Sequence, residues 1–265
     1  MLTHVRTPGC VTDYTVAGEG PPLILLHGAG GRGSAWREVI PQLARGFQVI
    51  VPDIPGHGDS KAPGALYTRR FYSSWLKRFI IEMRLSRPSI VGHSLGGAIA
   101  LALAVQQPDL IDRLVLVNSI GLGAPAARAS LLLLAALFTP SEEAALALMG
   151  AAMFGEHVAR PKALMYDLVA RSGPIPRGLR GFWLVFSRTW DIARPIRPPD
   201  LEQIRLPTLI VWGADDPYFP IAHARRAARH LAKSAVELIH GAGHIPFLQQ
   251  PREFTSIVEG FLRAG

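Results

Sequence analysis

The stretch SIVGHSLGGAIALALA, residues Ser89–Ala104, decides how the chain is read. An apolar run ends at Val91, Ser94 follows three residues later between Gly92 and Gly96, and an Ala/Leu pattern begins at once. The order is strand, sharp turn, helix, with the turn spelled G-x-S-x-G. So tight a turn strains the serine backbone, and side chains on neighbouring residues would collide; Gly92 and Gly96 relieve that crowding. A helix starting at Leu95 then aims its free N–H groups at the hydroxyl. The plain alternative is a helix N-cap serine, and the motif alone does not separate the two.

Outward from this segment, apolar strand-like runs alternate with helical patterns. Residues 1–17 hold two short extended runs, LTHVR and VTDYTVA, split by Pro8 and Gly9, which predict an N-terminal hairpin. LILLH (23–27) precedes a helix expected over Ser34–Ala44, and FQVIVPDI (47–54) precedes a turn-rich stretch and a helix over Arg69–Leu85. The helix Leu95–Gln107 is followed by DRLVLVNS (112–119). From about 121 to 200 the pattern is helical and apolar, with prolines and no convincing strand. The alternation resumes at LPTLIVWG (206–213), the helix AHARRAARHLA, a strand near AVELIHG and a last helix over Arg252–Arg263. Apolar strands each followed by a helix imply an α/β fold, a parallel sheet covered on both faces. The expected organisation is a core of residues 1–120 and 201–265 with a helical insertion, 121–200, between two of its strands.

Composition narrows the class. The chain has 265 residues, 49% apolar and 18% charged, enough for one large core. A single cysteine, Cys10, excludes a disulfide framework and a zinc-type cysteine cluster. MLTHVRTPGC lacks the apolar stretch of a secretory signal, so a cytoplasmic location is expected. ASLLLLAALF (129–138) is too short to span a bilayer and reads as a buried or pocket-lining helix, not a membrane insertion. The net charge of +8 comes mostly from scattered arginines, with no basic run and no nucleic-acid module, so no nucleic-acid partner is expected.

A serine hydroxyl needs a base. Among nine histidines, His244 stands out on the glycine-flanked loop of HGAGHIPFLQQPREF, between the last strand and the last helix. A loop at the carboxyl end of a sheet can reach the tip of another strand. An orienting carboxylate follows a strand in VWGADDPYFP: Asp216, with Asp215 as its rival. The segment VNSIG after the preceding strand holds no carboxylate. For the oxyanion, HGAGGRGSAW supplies a glycine-rich loop, and the backbone N–H of Ala29 (or Gly30) and of Leu95 are the expected donors. That loop lacks a Walker lysine, which disfavours a phosphate cradle. VPDIPGHGDS reads as scaffold, and His27, His57 and His93 as packed or hydrogen-bonded histidines.

With these residues in place, the chain resembles the α/β-hydrolase family, in its lidded single-domain branch. The resemblance rests on five motifs in family order: HGAGG, DIPGHGDS, GHSLGG, WGADDPYFP and GAGHIPFLQQP. It implies a mostly parallel eight-stranded sheet, Ser94 as nucleophile, Asp216 as acid, His244 as base, and 121–200 as the cap where substrate choice resides. Serine at position 94 argues against epoxide and halide chemistry, which use aspartate there. Carbon–carbon bond hydrolases usually read G-N-S-M-G-G with tryptophan after the base; His93, Leu95 and Ile245 depart from that.

The expected activity is carboxylic-ester hydrolysis through an acyl-enzyme, on a small substrate with an apolar acyl part. The alternatives are carbon–carbon, lactone or thioester hydrolysis on the same triad, and a non-catalytic small-molecule-binding protein. Trp183, Phe186, Phe138 and Phe219 are the candidate lining of an apolar pocket, or else they pack the cap onto the core. Arginines 171, 177, 180, 188, 194 and 197 are either solvated or positioned to meet an anionic group. No metal or organic cofactor is implied. The oligomeric state is left open, with the apolar cap as a candidate interface.

Overall fold

A computed structural model of the protein describes residues 3–62, 65–124, 126–139, 141–154 and 190–264. Two strands, β1 (Thr3–Thr7) and β2 (Cys10–Ala17), pair antiparallel as the expected hairpin, with Thr7 opposite Cys10. The remaining strands are β3 (Pro22–Leu26), β4 (Gln48–Pro52), β5 (Ser89–His93), β6 (Leu114–Val117), β7 (Thr208–Gly213) and β8 (Ser234–Ile239). They form one sheet of order β1-β2-β4-β3-β5-β6-β7-β8, parallel from β4 to β8.

The central strands are buried on both faces, and alternation along them sorts their side chains into two cores. Ile24, Leu26, Ile90, Leu114, Leu116, Ile210 and Trp212 point to one core, with α2 (Arg69–Glu82) and α3 (Leu95–Gln106) packed over it. Leu23, Leu25, Val91, Val115, Val117, Leu209 and Val211 point to the other. That second core is closed by a 3-10 turn at Gly33–Trp36, the short α1 (Ile40–Leu43) and the C-terminal helix (Pro251–Arg263). Trp36 stacks on Phe247 at 3.9 Å between ring centres and reaches Phe254 at 6.0 Å. Residues Leu95–Ala104 of α3 are all buried, so the helix behind the Ser94 turn is locked in the interior.

Two expected helices came out differently. The segment Ser34–Ala44 is broken into the 3-10 turn and α1, because Pro41 has no N–H to continue the helix and instead sits in the first turn of a new one. The helix from Ala222 ends at Ala228, where the Ser234 hydroxyl donates to the Ala228 carbonyl (3.1 Å) and satisfies one of its free ends.

Between β6 and β7 the described elements are all helical: α4 (Ala127–Phe138), α5 (Glu142–Phe154), α6 (Trp190–Ala193) and α7 (Pro198–Leu201). The expected burial of α4 is one-sided. Leu133 and Ala136 are buried, whereas Leu131 and Phe138 are exposed. The far end of α5 enters the second core, where Phe154 is fully buried with Val211, Ile239 and Phe247. The stems of this region are tied together, the Ile196 N–H donating to the Gly121 carbonyl at 2.8 Å. They are also tied to the core through Arg69 N–H to Asp191 (2.9 Å) and Arg226 to the Leu122 carbonyl (2.9 Å). Among the described residues no helix is long and apolar enough to cross a membrane.

The loops after β3 and β4 are braced against each other at the carboxyl end of the sheet. The His27 Nδ1–H donates to the Gly28 carbonyl (2.8 Å), while the Ile54 N–H donates to its Nε2 (2.9 Å). These two bonds need the neutral ring, and burial pushes its pKa down to about 4. Asp53 accepts from the Gly33 N–H (2.6 Å) and the Asp59 N–H (2.9 Å), with Arg32 bridging Asp53 and Asp59. His57 lies 5.5 Å from the His27 ring, is buried with its Nε2 unpartnered, and has its pKa pushed down to about 3, mainly by burial. VPDIPGHGDS is thus scaffold, as its composition suggests.

This brace makes folding pH-dependent. Unfolded, each ring takes up a proton near pH 6.5; folded, His27 does so only near 4 and His57 near 3. The folded state therefore binds fewer protons below about pH 6.5, and the stability held by the neutral rings is lost as pH falls, by up to ~1.4 kcal/mol per unit per ring. The urea midpoint is expected to drop between pH 7 and pH 5. In His57→Leu the drop should be shallower; an equal slope in both proteins would contradict this.

Candidate active site

Four loops converge at the carboxyl ends of β3, β5, β7 and β8, which lie side by side in the sheet apart from β6 between β5 and β7. The register places His93 opposite Val117, Val117 opposite Val211, and Gly213 opposite Ile239, so the loops that follow leave from one edge.

At the end of β5 the chain turns directly into α3 through Ser94, whose φ of 50° and ψ of −111° fall outside the regions a serine normally occupies. The turn is held by its neighbours: the Ser94 N–H donates to the Val117 carbonyl (3.0 Å), and the Ser94 carbonyl accepts from Ala98 and Ile120 (both 3.1 Å). The Ser94 side chain makes no N-cap bond to α3, so the N-cap alternative fails. Space is the reason for the glycines. A Cβ on Gly92 would lie 2.5 Å from the Gly96 carbonyl oxygen, and one on Gly96 would lie 2.4 Å from that of Leu26.

The loop after β3 runs beside the serine. A Cβ on Gly28 would stand 3.3 Å from the Ser94 Cβ, and the Gly96 N–H donates to the His27 carbonyl (3.1 Å), stitching this loop to the elbow. Gly30 has a positive φ of 73°, which turns the loop tightly over Ala29. Leu95, the first residue of α3, has no carbonyl four residues back within the helix to bond, which leaves its N–H available.

The carboxylate and imidazole meet in the interior. The His244 Nδ1–H donates to Asp216 Oδ2 at 2.9 Å, and their side chains are 2% and 1% exposed. Asp215, the rival acid, is exposed and donates its backbone N–H to the Ala242 carbonyl. The other Asp216 oxygen accepts from the N–H groups of Tyr218 (2.7 Å) and Phe219 (3.1 Å). A fourth donor comes from Asn118, whose Nδ2 reaches Asp216 Oδ2 at 2.6 Å while its Oδ1 accepts from the Gly213 N–H (3.2 Å). With four donors the carboxylate is fully satisfied away from water, so it is fixed in position and orients the histidine ring.

Asn118 is the residue that sequence reasoning missed. It lies in the VNSIG segment after β6, which holds no carboxylate. Its signal is an amide directly past an apolar strand, at φ 41°, a conformation asparagine tolerates better than most residues. Of the four pocket candidates, Phe219 is buried with its ring 5.5 Å from that of His244, and its carbonyl accepts from the Trp212 indole (3.0 Å). Phe138 is 75% exposed at the end of α4, and Trp183 and Phe186 lie outside the described residues. Of the six arginines singled out, Arg194 and Arg197 are described: the Arg194 carbonyl accepts from Arg69, and Arg197 pairs with Asp200 at 3.0 Å. Among the described residues no cluster of histidine, cysteine, aspartate or glutamate could hold a metal ion.

Comparison with known proteins places this geometry in a family. The model of the α/β hydrolase fold matches residues 21–251. An uncharacterized protein of Mycobacterium tuberculosis is 33% identical over 94% of this chain and 77% of its own. A 2-hydroxy-6-oxo-2,4-heptadienoate hydrolase of Pseudomonas putida is 29% identical over 98% of this chain and 95% of its own. A pimeloyl-[acyl-carrier protein] methyl ester esterase of Aeromonas hydrophila is 28% identical over 92% and 96%. From the strained serine turn to the buried acid–histidine pair and the match along most of its length, the chain is a member of the α/β hydrolase fold family.

Proposed function

We propose that the protein is a serine hydrolase that cleaves carboxylic esters of small, partly apolar acyl groups through an acyl-enzyme. The observation that carries this reading is the His244–Asp216 bond, buried at the carboxyl end of the sheet, where β5 also ends at the buried Ser94. The bond puts the proton of the neutral ring on Nδ1 and leaves Nε2 as a base. Nε2 takes the Ser94 proton as the hydroxyl attacks the ester carbonyl. The N–H groups of Ala29, or Gly30, and of Leu95 hold the oxyanion. His244 then protonates the departing alcohol, and the same ring activates water to release the acid.

Residues 121–200 serve as the cap that screens the acyl group from water, and Phe219 forms part of the pocket floor. The relative named as a methyl ester esterase supports the choice of ester chemistry.

A second reading has its own support, since the Pseudomonas putida relative is named as a hydrolase of a dienoate, a carbon–carbon bond substrate. Two positions weigh against it. His93 stands where such enzymes usually carry asparagine, and its ring is buried in a hydrogen bond to the base loop. Ile245 stands where a tryptophan often follows the base in such enzymes, and is only 4% exposed.

Hydrolysis of p-nitrophenyl esters from acetate to laurate tests the proposal. Wild type is expected to turn over with an optimum at one chain length, and Ser94→Ala to lose on the order of 10⁴-fold or more in kcat while keeping its fold. Equal activity in both proteins, or none in wild type, would remove the ester reading.

A further inference from the structure

The mechanism above uses His244 and Asp216 but leaves a second buried imidazole beside them unexplained. His93 precedes the nucleophile, is 5% exposed, and its ring centre lies 4.9 Å from that of His244. Its Nε2 sits 2.9 Å from the His244 backbone carbonyl oxygen. A carbonyl only accepts, so the proton of the ring is on Nε2 and Nδ1 is bare. The tautomer is thereby opposite to that of His244, and burial holds the His93 pKa well below the usual imidazole range, keeping the ring neutral. Phe247 meets the ring edge-on at 5.0 Å. On the other side the ring lies against Gly28, where a Cβ would stand 2.8 Å from Nδ1. The ring is therefore held between the loop after β3 and the base loop, with Nε2 bonded to the His244 carbonyl.

That bond completes a grip on the His244 peptide. On its amino side, the His244 N–H donates to the Met153 carbonyl (2.7 Å) near the end of α5. On its carboxyl side, the carbonyl is taken by His93. The base loop carries glycines at 241 and 243, with Gly241 at a positive φ of 68°, and before His244 it is held by the Gly243 N–H donating to Gln249 Oε1 (2.9 Å) and the Ala242 carbonyl accepting from the Asp215 N–H (3.0 Å). The side-chain bond to Asp216 sets the ring's tilt but not the height of its backbone.

We propose that His93 is a positioning residue: through the Nε2–H bond to the His244 carbonyl it ties the nucleophile elbow to the base loop and sets the reach of His244 towards Ser94. Because His93 is covalently next to Ser94, any displacement of the elbow carries the base with it. Asparagine, one atom shorter in reach along this direction, does not span from position 93 to that carbonyl, whereas glutamine places an amide N–H where Nε2 stands.

This inference rests on the serine-hydrolase reading, and the test separates the two. Wild type, His93→Gln, His93→Asn and His93→Leu are titrated with a fluorophosphonate probe, the labelled residue is identified by peptide mass, and kcat and KM for a p-nitrophenyl ester are expressed per labelled serine. His93→Leu and His93→Asn are expected to lose about 10- to 100-fold in kcat, the scale of a misplacement near 1 Å, with KM changed less than about twofold. His93→Gln should recover to within about threefold of wild type. A purely packing role would let leucine serve as well as glutamine, so equal kcat per labelled serine in Leu and wild type overturns the proposal. So does a Gln variant as slow as Asn. If His93→Leu does not fold, the Gln and Asn pair, alike in polarity and differing in reach, decides alone. A wild type unlabelled at Ser94 would remove the hydrolase reading itself and this inference with it.

Discussion

The backbone at Ser94 is the constraint on which the rest of the site depends. A serine at φ 50° and ψ −111° costs on the order of 1–3 kcal/mol, and nothing in its own chemistry sustains it. What sustains it is interior packing. Strand β5 is buried throughout and helix α3 from Leu95 to Ala104, the turn between them has no room to relax, and Gly92 and Gly96 lie against carbonyl oxygens of the opposing backbone. The serine thereby stands at the junction of β5 and the amino end of α3. Core stability and site geometry are one quantity here: the buried apolar surface of the two cores supplies the free energy that the turn consumes.

Asp216 and His244 are arranged on the opposite principle, with the carboxylate fully satisfied by hydrogen bonds. Asp216 would be costly in so enclosed a place without partners, and it has four donors from three separate elements: Asn118 after β6, the Tyr218 and Phe219 amides after β7, and His244 after β8. Asn118 also accepts from Gly213, so the loop after β6 is bound to the end of β7 by the same side chain that holds the acid. The helical region between these strands takes part as well. The Met153 carbonyl on α5 holds the His244 N–H, and Phe154 is sunk in the core beneath the base loop. His244 is thus fixed from below by the core, from one side by Asp216, and by an element that belongs to the insertion in sequence.

Much of this is legible in the sequence. The alternating apolar strands and their helices give the parallel sheet directly, since burial on both faces demands continuous apolar runs and α/β connections demand the helices between them. The serine turn, the acid and the histidine were legible because each sits just past a strand, where composition changes abruptly from apolar to glycine-rich. What stayed hidden has physical causes. Asn118 is uncharged, so a search for acids passes over it, although its amide holds the acid. The break before Pro41 is a matter of one missing N–H, which the Ser34–Ala44 helix expectation does not take into account. The exposed flank of α4, with Leu131 and Phe138, was unreadable because an apolar sequence alone does not say which face is covered. His93 reads as an ordinary core histidine, and only its distance to the His244 carbonyl sets it apart.

The acyl-enzyme on Ser94 is the central claim, and rapid acid quench followed by peptide mapping tests it most directly. A p-nitrophenyl ester has a leaving group good enough to make deacylation the slow step, so the intermediate accumulates. Mixed with such an ester and quenched within the first turnover, the wild type should carry the mass of one acyl group on the peptide containing Ser94, formed together with a burst of p-nitrophenol. Turnover that proceeds with no acylated peptide at any time, or with the acyl group on another residue, would contradict it.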